Sequence, residues 1–184
     1  MKKYHILLAV AVSTIAGGCN DFLDRTPYDE VGNKAVFSTP SLAESVVTGA
    51  YSNLRADYNS TTAVNFDALS SVLDPGDIAL HQRYEYLLGN IQSDNALFSN
   101  RWKRLYEGIN RANDVINNMG GVPEMTDELK ACRIAECKFI RAYSYYLLNA
   151  CWRGVPIYLE NLADAEYTKP RSTEEQVWQQ CIDD

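Results

Sequence analysis

Apolar residues return at intervals of three and four along most of this chain, the period of an α-helix with one buried face. The clearest run is Phe98, Trp102, Leu105, Ile109, Ala112, Ile116 and Met119, and the pair Gly120-Gly121 supplies the stop that a helix end favours. Thr126 and Asp127 open a further helix, which carries Leu129, Cys132, Phe139, Tyr143, Tyr146 and Ala150 and closes at Gly154 and Pro156. An earlier helix begins at Thr39-Pro40 or at Ser41. Proline suits a first helical turn, Ser41 with Glu44 has capping-box spacing, and Val47, Tyr51, Leu54 and Tyr58 follow as one apolar face. A last helix starts at Ser172, with Glu175 in the capping-box position. Its apolar residues Val177, Trp178, Cys181 and Ile182 form a face with nothing after it to pack against, as in one part of a longer chain. The two central helices, joined by a short turn, predict an antiparallel hairpin of the kind found in helical-repeat proteins. The fold class is therefore all-α: a helical-hairpin, tetratricopeptide-like scaffold with long irregular loops.

The longest segment without helical period lies between the first two of these helices, over residues 59–94. Irregular segments of this length tend to be functional or disordered. Leu69, Val72, Leu73, Ile78, Leu87 and Leu88 argue for the ordered alternative. Asp74-Pro75-Gly76-Asp77 is a turn signal. Its two carboxylates fall short of the oxygen ligands that calcium prefers, so a plain turn is the simpler reading and no cofactor is expected.

The N-terminus breaks the helical pattern in a different way. Lys2 and Lys3 precede an apolar stretch from Tyr4 to Ile15, then the small residues Ala16, Gly17 and Gly18, then Cys19. A positive start, a short apolar core and small residues before a cut are the parts of a secretory signal. The stretch is shorter than the ~20 helical residues a hydrocarbon core requires. A cysteine directly after the small residues is a thiol placed to accept a lipid. Residues 1–18 thus read as a lipoprotein signal peptide, with Cys19 as the lipidated first residue of the mature chain. Residues 19–37 read as a tether that settles onto the domain through Phe22, Leu23 and Phe37, and residues 38–184 as the helical domain.

Composition changes this picture little. The chain has 17 basic and 24 acidic side chains, and loss of Lys2 and Lys3 leaves 15 against 24, a net charge of −9. So acidic a chain presents no basic stripe for phosphate backbones, which argues against nucleic-acid binding. With Cys19 lipidated, Cys132, Cys137, Cys151 and Cys181 remain, an even number that permits disulfides in an exported protein. Three of the four fall on helical stretches, and small buried thiols are the simpler reading. No cysteine–histidine spacing suggests zinc. His81 is the one histidine after Cys19, and neither G-x-S-x-G nor H-E-x-x-H occurs, so no catalytic residue is assigned.

Several stretches together resemble the N-terminal part of the SusD/RagB family of outer-membrane lipoproteins. They are Cys19-Asn20-Asp21-Phe22-Leu23-Asp24 with Pro27; Ala50-Tyr51 with Leu54; Trp102, Leu105-Tyr106, Ile109 and Arg111-Ala112-Asn113; Ala135 to Ala142 with Tyr145-Tyr146 and Gly154-Val155-Pro156; and Pro170-Arg171-Ser172-Thr173. They come in the family's order over nearly the whole chain. The resemblance implies a larger, mostly helical fold of which this is the N-terminal portion. It also implies a place on the outer face of the outer membrane, a TonB-dependent transporter as partner, and capture of oligosaccharides without cleavage. In the family, part of the sugar site comes from the segment between the first two helices. Here that segment offers His81, Arg83, Tyr84, Tyr86 and Asn90 as ligand-binding candidates, a tyrosine ring giving the apolar platform and an amide or guanidinium bonding to hydroxyls. Trp102 reads as core, Glu136 and Arg141 as partners of polar groups on neighbouring helices, and Arg171 as a scaffold contact. Two alternatives stay open: a helical scaffold for transporter assembly that binds no sugar, and a glycoside hydrolase, which needs two facing carboxylates that nothing in the sequence singles out.

Overall fold

The computed structural model describes residues 33–58, 92, 94, 96–161 and 168–184. Among them there is no strand. Five helices follow in order: α1 (Asn33–Val36), α2 (Pro40–Tyr58), α3 (Ala96–Asn118), α4 (Asp127–Trp152) and α5 (Glu174–Asp183). A 3-10 turn, Met119–Gly121, ends α3 at the expected glycine pair. None of these helices is long and apolar enough to cross a membrane.

The helix starts are set by side-chain caps: at α2 the Thr39-Pro40 alternative holds and not Ser41, and at α5 the cap lies one residue beyond Ser172. Thr126 caps α4, its hydroxyl accepting from Leu129 N. At α2 the cap is Thr39, whose Oγ1 accepts from Leu42 N at 3.4 Å, because Pro40 already occupies the first helical position. Ser41 lies inside the helix, and Glu44, expected to close a capping box there, instead reaches Arg133 on α4 at 2.9 Å. At α5 the capping box is Thr173 with Gln176 and not Ser172 with Glu175. Ser172 N is committed to Val155 O at 3.2 Å, which leaves Thr173 as the extended residue before the helix.

α3 and α4 form the expected hairpin, and two apolar clusters lie along it. The first gathers Phe37, Ala43, Val47, Ala50, Ala112, Val115, Met119, Val122, Cys137 and Ile140. Alanines at 43, 50 and 112 let α2 approach closely, and a face of Ala43, Val47, Ala50 and Leu54 does the packing. Tyr51, expected on that face, is 41% exposed instead. Phe37 is buried in this cluster; Phe22 and Leu23, the other two contacts expected of the tether, lie outside the described residues. The second cluster gathers Leu105, Ile109, Tyr145, Leu148, Val155 and Val177. α5 is thus not the uncovered helix its position suggested. Val177 is fully buried, Trp178 packs against Tyr146, and Cys181 Sγ meets Ala142 O at 3.3 Å. Only Ile182 stays in solvent, at 76% exposure.

Arg141 joins three helices. Its guanidinium pairs with Asp184 at the end of α5 (Nε to Oδ2 2.8 Å), donates to Asn113 Oδ1 on α3 at 2.8 Å and reaches Leu159 O at 3.4 Å. This is the cross-helix partner expected for it. Glu136 has such a partner too, taking a hydrogen bond from Tyr51 on α2, and is also held by Arg133 on its own helix at 2.8 Å, which bridges to Glu44 on α2. The four described cysteines are free thiols. Cys137 is buried, Cys151 and Cys181 are half-buried and Cys132 is exposed, which departs from the buried-thiol expectation at that one position.

Candidate binding site

A strap over residues 153–161 turns back from the end of α4 and lies across α3. Its start demands a glycine: Gly154 has φ +68, and a Cβ there would run into Ser172 O. Arg171 fastens this corner, donating to Gly154 O at 2.9 Å, Arg153 O at 3.0 Å and Trp152 O. These are helix-end carbonyls that a cation satisfies well. Arg171 is the scaffold contact its place in the sequence suggested.

Side chains from α3 and α4 then hold the strap's backbone. Tyr145, fully buried, both accepts from Tyr158 N at 2.7 Å and donates to Tyr158 O at 3.0 Å. Asn113 Nδ2 donates to the same carbonyl at 3.1 Å. Tyr106 Oη donates to Pro156 O at 2.7 Å, and Asn117 Nδ2 to Leu159 O at 3.2 Å. Burial raises the phenol pKa values of Tyr106 and Tyr145, so both stay neutral donors at any physiological pH.

Between strap and helix lies a cavity of about 260 Å³, lined by Trp102, Tyr106, Asn110, Pro156, Tyr158 and Lys169. The α3 contribution is one helical face, residues four apart. The walls are aromatic. The Trp102 and Tyr106 rings lie 4.9 Å apart, Tyr106 meets Tyr158 edge-on at 6.1 Å, and Trp102 is backed by Trp152 at 5.2 Å. Lys169 Nζ sits 5.3 Å from the centre of the Tyr158 ring, a cation–π distance. Among the described residues Asn110 Oδ1 is buried without a hydrogen-bond partner, while Asn110 O accepts from Asn161 at 3.0 Å. A buried amide oxygen left unpaired costs free energy.

Apolar ring faces beside a few polar tips make a place for binding. Among the described residues the lining contains no carboxylate and no histidine. Among the described residues no three histidine, cysteine, aspartate or glutamate side chains gather in a way that could hold a metal ion. Trp102 packs against the second cluster, as its expected core role has it, but it is only half-buried and also lines the cavity. His81, Arg83, Tyr84, Tyr86 and Asn90 lie outside the described residues, as do Cys19, Asp74 and Asp77. The α3 half of the cavity had a signal in the sequence, namely two aromatics and an amide four apart on one face. Pro156, Tyr158 and Lys169 had none, because the strap that brings them there is defined by hydrogen bonds and not by periodicity.

A family model for SusD-like proteins, described as starch-binding and associating with the outer membrane, matches residues 21–184. Among curated proteins, SusD-like protein P25 of Formosa agariphila is 25% identical over 175 residues, covering 88% of this chain and 32% of the relative. A SusD-like protein of Bacteroides ovatus is 24% identical over 193 residues, covering 100% of this chain and 34% of the relative. Among solved structures, a SusD-like protein of Bacteroides fragilis shares the fold, with a TM-score of 0.67 at 17% identity, over 86% of this chain and 31% of that one. Surface glycan-binding protein A of Bacteroides uniformis gives a TM-score of 0.65 at 25% identity, over 79% of this chain and 33% of that one. The chain therefore spans about a third of the length of the curated relatives it matches, as the N-terminal portion of a larger fold does.

Proposed function

The chain belongs to the SusD-like family, and from that premise we propose that it is the N-terminal portion of a cell-surface lipoprotein that captures oligosaccharides and passes them to a TonB-dependent outer-membrane transporter without cleaving them. The observation that carries this reading is the family match across residues 21–184, a family described as starch-binding and outer-membrane-associated. The printed name of the Bacteroides uniformis neighbour, a surface glycan-binding protein, points the same way. The match begins two residues after Cys19, which supports residues 1–18 as a signal peptide, Cys19 as the lipid-bearing residue and residues 19–37 as the tether ahead of the helical portion, 38–184. The anchor faces the cell exterior in this reading, and no cofactor takes part.

Two surfaces contact sugar in the proposal. One is the segment with His81, Arg83, Tyr84, Tyr86 and Asn90. The other is the cavity of Trp102, Tyr106, Asn110 and Tyr158, where ring faces meet the C–H face of a pyranose. Binding titrations of the full-length protein with soluble oligosaccharides test this, comparing wild type with Tyr84→Ala, Tyr86→Ala and Trp102→Ala. Weaker binding by at least one variant is the expected result, and unchanged binding by all three would sink the assignment of these residues. For the anchor, a labelled fatty acid should mark wild type and miss Cys19→Ala. Protease added to whole cells should degrade the protein, and protection would place it on the inner side of the membrane.

A further inference from the structure

Lys169 is the one formal charge among the described residues that line the cavity, and the fold holds it there from several sides. Its backbone N–H donates to Tyr158 Oη at 3.2 Å, and its Nζ reaches Ile157 O at 3.5 Å. Two residues on, Arg171 is fastened to Gly154 O at the corner of the strap. Tyr158 in turn is pinned through its backbone by Tyr145 and Asn113. The ammonium, 5.3 Å from the centre of the Tyr158 ring, is therefore a cation at a defined place, beside the ring faces proposed to meet a pyranose. A charge held in position loses less freedom on binding than a loose lysine tail does.

Size limits what can sit beside that cation. At about 260 Å³ the cavity falls below the roughly 300–1,000 Å³ of pockets for drug-sized ligands, so it takes one sugar ring and not a run of them. A lysine ammonium only donates. Ring hydroxyls can take such a bond, and an anionic oxygen adds the attraction of opposite charges. For a pair at an edge that solvent reaches, that attraction is worth a factor of about three to five. The chain's net charge of −7 opposes anions only at long range. Salt screens charges beyond about 8 Å under physiological conditions, whereas an anion on a ring in so small a cavity lies within that range of Lys169. We propose that the cavity selects a pyranose carrying an anionic substituent, a uronic-acid carboxylate or a sulfate ester, with Lys169 as the specificity-determining residue. The proposal rests on the glycan-binding reading of the cavity and deepens it by naming the class of sugar.

Paired ligands test the proposal. The full-length protein is titrated with uronate-bearing oligosaccharides and with the same oligosaccharides after reduction of the carboxyl to a hydroxymethyl group. Sulfated oligosaccharides and their desulfated forms make the second series. The acidic member of at least one pair should bind about three- to fivefold more tightly at about 50 mM salt, and about 500 mM salt should bring that ratio towards one. Preference in the first series assigns the carboxylate, and in the second the sulfate ester. Lys169→Met should erase the preference, while Lys169→Arg keeps it. Should Lys169→Met not fold, Lys169→Gln makes the same comparison. Equal affinity within every pair overturns the proposal and leaves the glycan-binding reading standing, whereas no binding of any oligosaccharide overturns both. A preference that survives the loss of the Lys169 charge also overturns it, because the anion is then read elsewhere.

Discussion

Tyr145→Phe and Tyr106→Phe remove one hydroxyl each from the strap that walls the cavity, and the structure separates their costs. The Tyr106 hydroxyl makes one bond, to Pro156 O, at the half-buried edge of the cavity. A carbonyl there can turn to water, so the loss should be the net worth of one bond, about 1 kcal/mol. The Tyr145 hydroxyl makes two bonds with the backbone of Tyr158, and Tyr145 is fully buried. Asn113 still serves the Tyr158 carbonyl after the change, so the cost is that of two bonds lost at a fully buried site, about 2–3 kcal/mol. That is roughly a thirtyfold to 150-fold fall in the folding equilibrium. Urea unfolding at pH 7, followed by far-UV circular dichroism with the slope held common, measures both variants. The order Tyr145→Phe well below Tyr106→Phe is the expected result. Equal midpoints, or the reverse order, would refute the claim that the strap is pinned through the buried hydroxyl.

Other consequences are as direct. Asp184→Asn leaves Arg141 with less than its charge needs while nearly enclosed, and should cost about 3–5 kcal/mol, whereas Arg141→Met with Asp184→Leu should restore most of that loss; the same urea titration reads both. Gly154→Ala forces a side chain into a left-handed backbone and against Ser172 O, so its midpoint should fall further than that of Gly120→Ala, where nothing lies within 4 Å. Burial pushes the Cys137 thiol up to about 12 from 9.0. Because the folded value exceeds the unfolded one, its contribution is complete below pH 9 and is lost as pH rises towards 12. Stability should therefore decline through that window, and Cys137→Ala should flatten the decline. Iodoacetamide at pH 8 should label Cys132 in the native protein and spare Cys137.

How much of this was legible beforehand depended on what each feature is made of. Helix α3 was readable because its apolar residues face one core. Helix α4 was readable for the wrong face: the period of Leu129, Cys132, Phe139, Tyr143 and Tyr146 is real, but it marks the outward face and not the core of this portion. Ser41 and Ser172 fitted a capping box by spacing, and lost the role to Thr39 and Thr173. A neighbouring proline fixed the first turn in one case, and a strap hydrogen bond occupied the serine in the other. The cavity was half legible. Trp102, Tyr106 and Asn110 share a face that any helical wheel displays, whereas Tyr158 and Lys169 arrive through hydrogen bonds to residues 11 to 45 positions away.

The central claim is capture of glycan without cleavage, and one measurement meets it most directly. The full-length protein is incubated with a panel of soluble polysaccharides, starch among them, and each mixture is assayed both for polysaccharide retained on the protein and for shorter sugars released. Retention of at least one polysaccharide with no released product is the predicted result. Release of shorter sugars would contradict the account in favour of a hydrolase, and neither retention nor release across the panel would contradict it in favour of a scaffold that binds no sugar.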